Sequence, residues 1–348
     1  MEVDYIIIGN GLAGISFCEQ LKAQKKTFVV FDNNSQQSSV VAGGLYNPVV
    51  LKRFTPVWKS DEQLQMALTM YQSLEQELGV QLDYKVPVRR KFTSVEEQND
   101  WFTASDKPIL HKYLRPKIIK NVNNAINAPF GLGEVLQTGR LDVKTLIDHY
   151  RAALLLKNIC IEEAFQYELL QIHHNKVQYQ NIIATYIVFA EGFGITQNPF
   201  FNDLPLVPTK GELLTIYAPD LKIDYVLKGP VFLIPLGNDL YSVGATYEWE
   251  DTTHNITEKG KIELLEKLKT LITCSFKIIG QVAGIRPTVK DRRPLVGQHE
   301  IHKNMFVLNG LGTRGVMIGP YVATQLFNLI ENKEPLDKEI DSSRFSKA

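Results

Sequence analysis

Residues 4–14 read Asp-Tyr-Ile-Ile-Ile-Gly-Asn-Gly-Leu-Ala-Gly, and residues 27–32 read Thr-Phe-Val-Val-Phe-Asp. The uninterrupted aliphatic run before the glycines is typical of a buried parallel strand. Gly9, Gly11 and Gly14 have the G-x-G-x-x-G spacing of a dinucleotide-binding turn, which needs a tight turn, a close backbone approach to a pyrophosphate and a helix packed on a strand. The second strand ends at Asp32, where a carboxylate can accept hydrogen bonds from an adenosine ribose. The order of strand, glycines, helix, strand and acid therefore predicts a site for an adenine dinucleotide.

The composition limits the classes of protein to which the chain can belong. It has 348 residues, is 44% hydrophobic, and carries 38 basic and 38 acidic side chains. The length predicts about two domains, and the balanced charge makes a nucleic acid or an anionic membrane an unfavoured partner. Cys18, Cys160 and Cys274 are too far apart in sequence for a metal-binding motif, so we expect no metal site. No basic leader or long apolar segment is visible, and we expect a cytoplasmic protein without a membrane span.

Strand patterns recur at distant points of the chain. Aliphatic runs near residues 5, 187 and 306 each lead into small residues, which predicts that three separated segments form one parallel sheet. Alternating and aromatic-rich runs between residues 210 and 247 predict an antiparallel sheet. We therefore expect a dinucleotide domain at residues 1–60, 137–205 and 279–348. A substrate domain would take residues 61–136 and 206–278.

Capping patterns predict where helices begin. Ser60 with Gln63 and Ser94 with Glu97 have the spacing of capping boxes, and Asp142 is placed to cap a long helix. Asn10 lies inside the glycine turn and is expected to be exposed. His173 and His174 flank a predicted hairpin turn, where adjacent side chains point to opposite faces, and we interpret both as solvent-exposed.

Further motifs extend over nearly the whole chain: Ala42-Gly43-Gly44-Leu45, Gly139-Arg140-Leu141-Asp142, Lys210-Gly211-Glu212, Val243-Gly244-Ala245-Thr246, Gly284-Ile285-Arg286-Pro287, Arg293-Pro294-Leu295-Val296-Gly297 and Gly310-Leu311-Gly312-Thr313-Arg314-Gly315. With these motifs the sequence resembles the D-amino-acid-oxidase-type FAD-dependent oxidoreductases, in particular the glycine oxidase branch and the oxidase domain of tRNA-modifying enzymes. The resemblance implies an α/β, Rossmann-like FAD-binding domain built from discontinuous segments. It also implies a smaller α+β substrate domain with an antiparallel sheet.

The resemblance implies non-covalent FAD, since no cysteine follows Cys274 near the loop where related branches attach the flavin. Three regions would contact the cofactor: the N-terminal turn, the segment after the second strand, and the loop that leads into the last helix. The cofactor residues implied in this way are Gly9, Gly11, Leu12, Ala13, Gly14, Asp32, Asn33, Ser39, Ala42, Gly43, Gly44, Leu45, Leu169, Ala190, Gly192, Gly312, Thr313, Arg314, Gly315, Val316 and Met317.

The resemblance also implies four residues at the substrate. Arg286 occupies the position that binds a substrate carboxylate, and the planar fork of arginine suits that role. Arg314 matches a second position near the carboxylate. Phe232 stands where glycine oxidase has a tyrosine, and Tyr247 replaces a methionine. Gly44 stands where a larger residue would line the face of the flavin, and these three differences put glycine itself in doubt as the substrate.

The expected reaction is the oxidation of the C–N bond of a small amino acid or secondary amine, with hydride transfer to flavin N5 and hydrolysis of the imine. Dioxygen or another acceptor would reoxidise the flavin. One alternative is the flavin-dependent removal of a carboxymethylaminomethyl-uridine-type modification from tRNA. Another is an FAD-binding protein without catalysis.

Overall fold

The computed structural model describes residues 1–35 and 38–345. In this part of the chain the α-helices α1 to α7 are Leu12–Ala23, Ser38–Val41, Ser60–Leu78, Val95–Ser105, Val143–Leu156, Glu258–Lys269 and Gly315–Phe327. The strands β1 to β21 are Glu2–Ile8, Phe28–Phe31, Leu45–Tyr46, Val49–Val50, Thr55–Pro56, Asp83–Tyr84, Val88–Lys91, Leu114–Ile119, Leu132–Val135, Gly139–Leu141, Cys160–Ile161, Leu170–Ile172, Val177–Tyr179, Ile182–Phe189, Leu206–Tyr217, Val226–Lys228, Phe232–Gly237, Leu240–Gly244, Lys277–Val289, Leu295–Gln298 and Met305–Asn309.

The first sheet is parallel at its centre. Its strands run in the order β11, β2, β1, β14, and β21 pairs with the second half of β14. The side chains of residues 5–8 are buried, as a central strand covered on both faces requires. β12, β13 and β20 extend this sheet in antiparallel pairings. The prediction that segments near residues 5, 187 and 306 meet in one parallel sheet is confirmed.

The second sheet has the order β19, β15, β18, β17, β16, β7, β9, β8, and all its pairings are antiparallel except that between β16 and β7. Its two faces are covered differently. Leu214, Leu233 and Val243 point to the face on which α6 packs through Leu264 and Leu268. The residues that alternate with them, such as Leu213, point to the other face, which looks toward the first sheet.

The predicted domain boundaries remain a proposal, and two features of the packing differ from them. β19 begins at Lys277 and pairs with β15 as far as Val289, so the second sheet continues past residue 279. α3 packs on α7, where the hydroxyl of Tyr71 donates a hydrogen bond of 2.7 Å to the carbonyl oxygen of Val316. The helix after residue 60 therefore lies against the dinucleotide-binding part of the molecule.

Two of the predicted helix caps are confirmed and one is wrong. The side chains of Ser94 and Asp142 accept hydrogen bonds of 3.2 Å from backbone N–H groups in the first turns of α4 and α5. Ser60, in contrast, is the first residue of α3 itself. The preceding Lys59 adopts a left-handed conformation, and Gln63 donates to the carbonyl oxygen of Trp58 at 2.6 Å instead of closing a capping box.

Two further predictions concern the exposure of two histidines and the presence of membrane-spanning helices. His173 and His174 are exposed, as predicted. In residues 1–35 and 38–345, no helix combines the length and the apolar character needed to cross a membrane.

Candidate dinucleotide and substrate cavity

A cavity of about 1330 Å³ lies between the carboxyl ends of the parallel strands and the open face of the second sheet. Pockets for one small ligand usually occupy about 300–1,000 Å³, so this cavity has room for a dinucleotide and a small substrate together. It is lined by the predicted cofactor and substrate residues, with the exceptions of Gly14 and Leu169. Leu169 lies in a short 3-10 turn and is 41% exposed.

The glycine turn is shaped by close backbone contacts. A Cβ atom on Gly14 would lie 2.0 Å from the carbonyl oxygen of Gly9, so only glycine allows α1 to start this close to β1. α1 begins at Leu12 without a side-chain cap at Gly11, and both residues line the cavity. The N–H groups of its first turn therefore form the kind of helix N-terminus that binds phosphate.

Asn10 lies at the centre of this turn and is only 2% exposed, so the expectation that it is solvent-exposed is wrong. Its backbone N–H donates to Oδ2 of Asp32 at 2.6 Å. Among the described residues, neither Oδ1 nor Nδ2 of its side chain has a hydrogen-bond partner. A buried amide normally has partners, and the Nδ2–H₂ group would find acceptors in phosphate oxygens. This orphaned amide fits a dinucleotide pyrophosphate.

Asp32 is held in place by three donors. Nη1 of Arg151 lies 2.6 Å from Oδ1, and the backbone N–H groups of Asn10 and Asn34 also donate to the carboxylate. A carboxylate has about four acceptor positions, so capacity for a ribose hydroxyl remains. Arg151, which also pairs with Glu162, is a residue that sequence reasoning missed. It lies on α5, in a segment without a dinucleotide motif.

The segment from Ala42 to Leu45 passes tightly between two strands. Gly44 has φ of +69°, and a Cβ atom there would lie 2.0 Å from the carbonyl oxygen of Leu141. A Cβ atom on Gly43 would lie 2.9 Å from Cδ1 of Ile234, on the open face of the second sheet. Because Gly43 and Gly44 have no side chains, the segment presents backbone atoms to the cavity at the point where the two sheets face each other.

The opposite wall is the loop before α7. Gly312, Thr313, Arg314 and Gly315 line the cavity, and α7 begins at Gly315 with Arg314 as its N-cap residue. A helix N-terminus stabilises negative charge through its unpaired N–H groups. The wall therefore suits the electron-rich edge of a reduced flavin.

Arg286 projects from β19 into the cavity. Its guanidinium lies directly over Gly211, where a Cβ atom would approach Nη2 to 2.0 Å. Nη1 donates to the carbonyl oxygen of Thr246 at 3.3 Å, and Cζ lies 4.8 Å from the centre of the Tyr247 ring. In residues 1–35 and 38–345, no carboxylate lies within 4 Å of this guanidinium. Burial lowers the pKa of Arg286, so its charge is desolvated without a counter-charge.

The other three predicted substrate residues line the same cavity. Nη1 of Arg314 donates to the carbonyl oxygen of Asn47 at 3.0 Å, and burial lowers the pKa of this guanidinium too. Phe232 is half-buried in β17. Tyr247 is 55% exposed and stacks on Trp249, with ring centres 6.4 Å apart. Trp249 was not among the predicted site residues, although it lies two positions beyond Tyr247.

Glu191, for which the sequence provides no explanation, is a buried carboxyl group in the wall of the cavity. It accepts hydrogen bonds from the hydroxyl of Tyr167 and, at 2.7 Å, from Nδ2 of Asn198. Burial raises its pKa to about 7, because the lost hydration of the charge outweighs the effect of these two hydrogen bonds, which lower the pKa. The residue therefore ties the loop after β14 to the neighbouring turn.

Comparisons with known proteins agree with this geometry. The chain is 27% identical over 161 residues to the glycine oxidase of Bacillus subtilis, a match that spans 44% of this chain and 43% of that protein. It is also 27% identical over 177 residues to the tRNA 5-methylaminomethyl-2-thiouridine biosynthesis bifunctional protein of Shewanella sediminis, over 40% of this chain and 25% of that protein. The matched regions thus cover less than half of these relatives. The crystal structure of glycine oxidase from Geobacillus kaustophilus superposes with a TM-score of 0.80 at 17% identity, covering 100% of this chain and 98% of that one.

The family model for FAD dependent oxidoreductases, DAO, matches residues 4–329. The predicted fold class is confirmed, as are FAD as the cofactor and an FAD-dependent oxidoreductase as the class of enzyme. This chain belongs to the DAO family of FAD-dependent oxidoreductases.

Proposed function

We propose that the protein oxidises the C–N bond of a small amino acid or N-alkyl amino acid to an imine, which water then hydrolyses. The observation that carries this proposal is the guanidinium of Arg286, which is desolvated in the cavity without a carboxylate partner among the described residues. Arginine binds a carboxylate through two parallel, charge-assisted hydrogen bonds. A substrate with a carboxylate next to its amine would supply the missing negative charge.

The cofactor would lie along the cavity from the glycine turn to the open face of the second sheet. The pyrophosphate would meet the start of α1 and the amide of Asn10, and the adenosine ribose would meet Asp32. The ring system would lie between the Ala42–Leu45 segment and the loop before α7. Each contact matches a property described above: a buried amide without a hydrogen-bond partner among the described residues, a carboxylate with about one acceptor position left, and backbone without side chains.

The protein's main contribution to the reaction would be positioning. Arg286 would fix the carboxylate, and the Thr246 carbonyl and Gly211 would hold the guanidinium in place. The substrate amine would react in its neutral form, so that its lone pair forms the C=N bond as the C–H bond breaks with its electron pair. Bound FAD supplies the acceptor for that hydride. Water would then add to the imine and release a carbonyl product and an amine or ammonia, and dioxygen or another acceptor would take up the electrons.

The test is anaerobic mixing of the yellow holoprotein with D-amino acids, glycine, sarcosine and proline, followed by flavin absorbance. We expect at least one of these amines to bleach the flavin. Arg286→Ala should lower kcat/KM by about 100-fold, equivalent to about 3 kcal/mol, because truncating one partner of a buried charge pair has this magnitude. Arg115→Ala is the matched control, since Arg115 pairs with Glu134 outside the cavity. The proposal fails if no amine bleaches the flavin, or if Arg286→Ala binds and reacts like the wild type.

A second candidate is the oxidation of a modified uridine in tRNA, favoured by the exposed, stacked rings of Tyr247 and Trp249 at the cavity. Stacked aromatic side chains bind unstacked bases. Lys52, Arg53 and Arg292 line the cavity and could contact phosphates. A tRNA mobility shift that weakens with salt, together with flavin reduction by the modified nucleoside, would support this candidate. Absence of both would exclude it.

The cytoplasmic location also remains a proposal. It rests on the free state of Cys18, Cys160 and Cys274, because structural disulfides are rare in reducing compartments.

A further inference from the structure

Lys228 is a cation in the cavity wall that no assigned role explains. It is the last residue of β16, is half-buried, and lines the same cavity as Arg286. Its ammonium lies 4.4 Å from the centre of the Phe232 ring. In the part of the chain that the structure describes, no carboxylate lies within 4 Å of this ammonium. The side chain therefore brings an uncompensated charge into the cavity.

The strand register places Lys228 on the open face of the second sheet. It pairs with Phe232, which in turn pairs with Gly244, and Gly244 pairs with Leu213. Residues that are paired across strands point to the same face, and Leu213 lines the cavity. Leu227, one residue earlier, points instead into the core under α6. The direction of Lys228 is thus fixed by the alternation of its strand.

Arg286 reaches the same face from the other edge of the sheet. Its guanidinium lies over Gly211, which is two residues before Leu213 on β15 and hence on the same face. Arg286 and Lys228 therefore extend toward each other from β19 and β16. The strands between them carry Gly211, Gly244 and Phe232 on this face.

The neighbouring cations pair with carboxylates, whereas Lys228 has no carboxylate partner among the described residues. Arg90, which pairs with Lys228 across the sheet, donates two hydrogen bonds to Glu97 at 2.9 and 2.7 Å. Lys267 pairs with Glu263 at 2.5 Å. Burial, with a smaller effect of Arg90 and Lys267, lowers the pKa of Lys228 to about 8. An ammonium that is desolvated in this way gains most when an anion arrives beside it.

The spacing of the two cations limits the size of the ligand. The Arg286 guanidinium lies over β15 and the Lys228 ammonium over β17, two strands away. With strands about 4.8 Å apart and an offset of two residues, the charges are separated by roughly 10–12 Å. A charge-assisted hydrogen bond of about 2.8 Å at each end leaves roughly 4–6 Å between the two anionic groups. This distance corresponds to a short dicarboxylate of about the length of glutarate.

We propose that the substrate carries a second anionic group, a carboxylate or a phosphoryl-type group, that pairs with Lys228 while its α-carboxylate pairs with Arg286. This inference rests on the proposed amine oxidation and narrows its substrate class. Glutamate-like amino acids, and glycine derivatives that carry an acidic N-substituent, have the required two charges. Monocarboxylic amino acids leave Lys228 without a partner.

The first test measures binding to the holoprotein by titration calorimetry with glutarate, butyrate and 4-phosphonobutyrate. Glutarate, or the phosphonate, should bind at least tenfold more tightly than butyrate, and the preferred ligand identifies the second anionic group. In Lys228→Met, which keeps the unbranched shape of the side chain and most of its length but removes its charge, the preference should fall below about twofold. Lys117→Met changes an exposed lysine of β8 in the same sheet and should keep the wild-type preference. The inference is overturned if neither glutarate nor 4-phosphonobutyrate binds to the wild type more tightly than butyrate, and this comparison does not depend on any variant.

The second test compares D-glutamate with D-glutamine as reductants of the flavin. A lower KM for glutamate, lost in Lys228→Met, supports the role of Lys228. Equal KM values overturn that role and leave the proposed amine oxidation intact. If no amine reduces the flavin, the proposed function fails, whereas the calorimetric comparison still decides whether Lys228 binds an anion.

Discussion

Glu191 offers a test of the cavity that does not depend on the substrate. Its carboxyl group is buried and accepts hydrogen bonds from Tyr167 and Asn198, and its pKa is raised to about 7. We consider the change Glu191→Gln. The amide can accept from Asn198 and donate to the oxygen of Tyr167, so the variant keeps the shape and both contacts. It differs from the wild type in having no charge to bury.

The size and sign of the effect follow from the two pKa values. A pKa of about 7 in the folded protein, against an ordinary value of 4.5, corresponds to about 3 kcal/mol of unfolding free energy. Because folding raises this pKa, the stabilising contribution is fully present below pH 4.5, is lost as the pH rises toward 7, and stays absent above it. The variant has no such pH dependence. Its stability relative to the wild type should therefore increase by about 2–3 kcal/mol between pH 5 and pH 8.

The measurement is urea unfolding of both holoproteins at saturating FAD, at half-unit steps from pH 5 to pH 8. Glu163→Gln is the control, since Glu163 lines the same cavity but is exposed. Its unfolding free energy should follow that of the wild type at every pH. The unfolding free energies of the wild type and Glu191→Gln could instead differ by the same amount at every pH. In that case folding does not raise the pKa of Glu191, and our account of its burial is wrong.

Three further predictions concern individual residues of the cavity. Asn10→Asp should weaken FAD binding at least tenfold by placing a carboxylate beside the pyrophosphate, whereas Asn10→Ala should weaken it less; fluorescence titration of the apoprotein with FAD measures both, and unchanged affinity in Asn10→Asp would contradict the placement. Gly44→Ala should prevent recovery of yellow protein or lower its Tm by several degrees, because the new Cβ meets a backbone carbonyl at 2.0 Å at a positive φ; a variant with wild-type Tm and cofactor content would refute this. The KM for a dicarboxylic substrate should rise as the pH passes about 8, where Lys228 loses its charge beside Arg90 and Lys267, whereas the KM for a monocarboxylic substrate should lack this rise; identical profiles would show that the ammonium does not contact the substrate.

The dinucleotide turn could be predicted from sequence because all its determinants are local. Tyr5 to Asp32 form one strand–helix–strand unit, and the spacing of Gly9, Gly11 and Gly14 reflects contacts within that unit. Local reasoning was wrong about the exposure of Asn10. This side chain is buried in the folded protein, where it follows the end of β1, a strand that pairs with the distant β14.

The features that sequence reasoning got wrong or missed depend on contacts between residues that are far apart in the sequence. Ser60 lies inside α3, and the residue before it, Lys59, contacts Asp337 at 2.7 Å and the hydroxyl of Tyr321 at 2.8 Å, both more than 250 residues away in sequence. Lys228 was missed as a site residue for a similar reason. Its sequence context, Leu-Lys-Gly-Pro, indicates a turn. The structure places it beside Arg90 through the pairing of β16 with β7, and among the described residues Arg90 has a carboxylate partner, Glu97, whereas Lys228 has none. The four substrate residues came from family resemblance, since no spacing rule connects Arg286 with Phe232.

The central parallel sheet has a consequence for how the protein is made. β1 leaves the ribosome about 300 residues before β21 and α7, which complete the far wall of the cavity. At synthesis rates of about 5–20 residues per second, this delay lasts roughly 15–60 s. During that interval the nascent chain exposes apolar strands and has no complete pocket in which to retain the flavin. Cofactor capture thus has to await the synthesis of α7, and a cell short of riboflavin would accumulate molecules that contain every segment of the cavity yet lack the ligand that stabilises them.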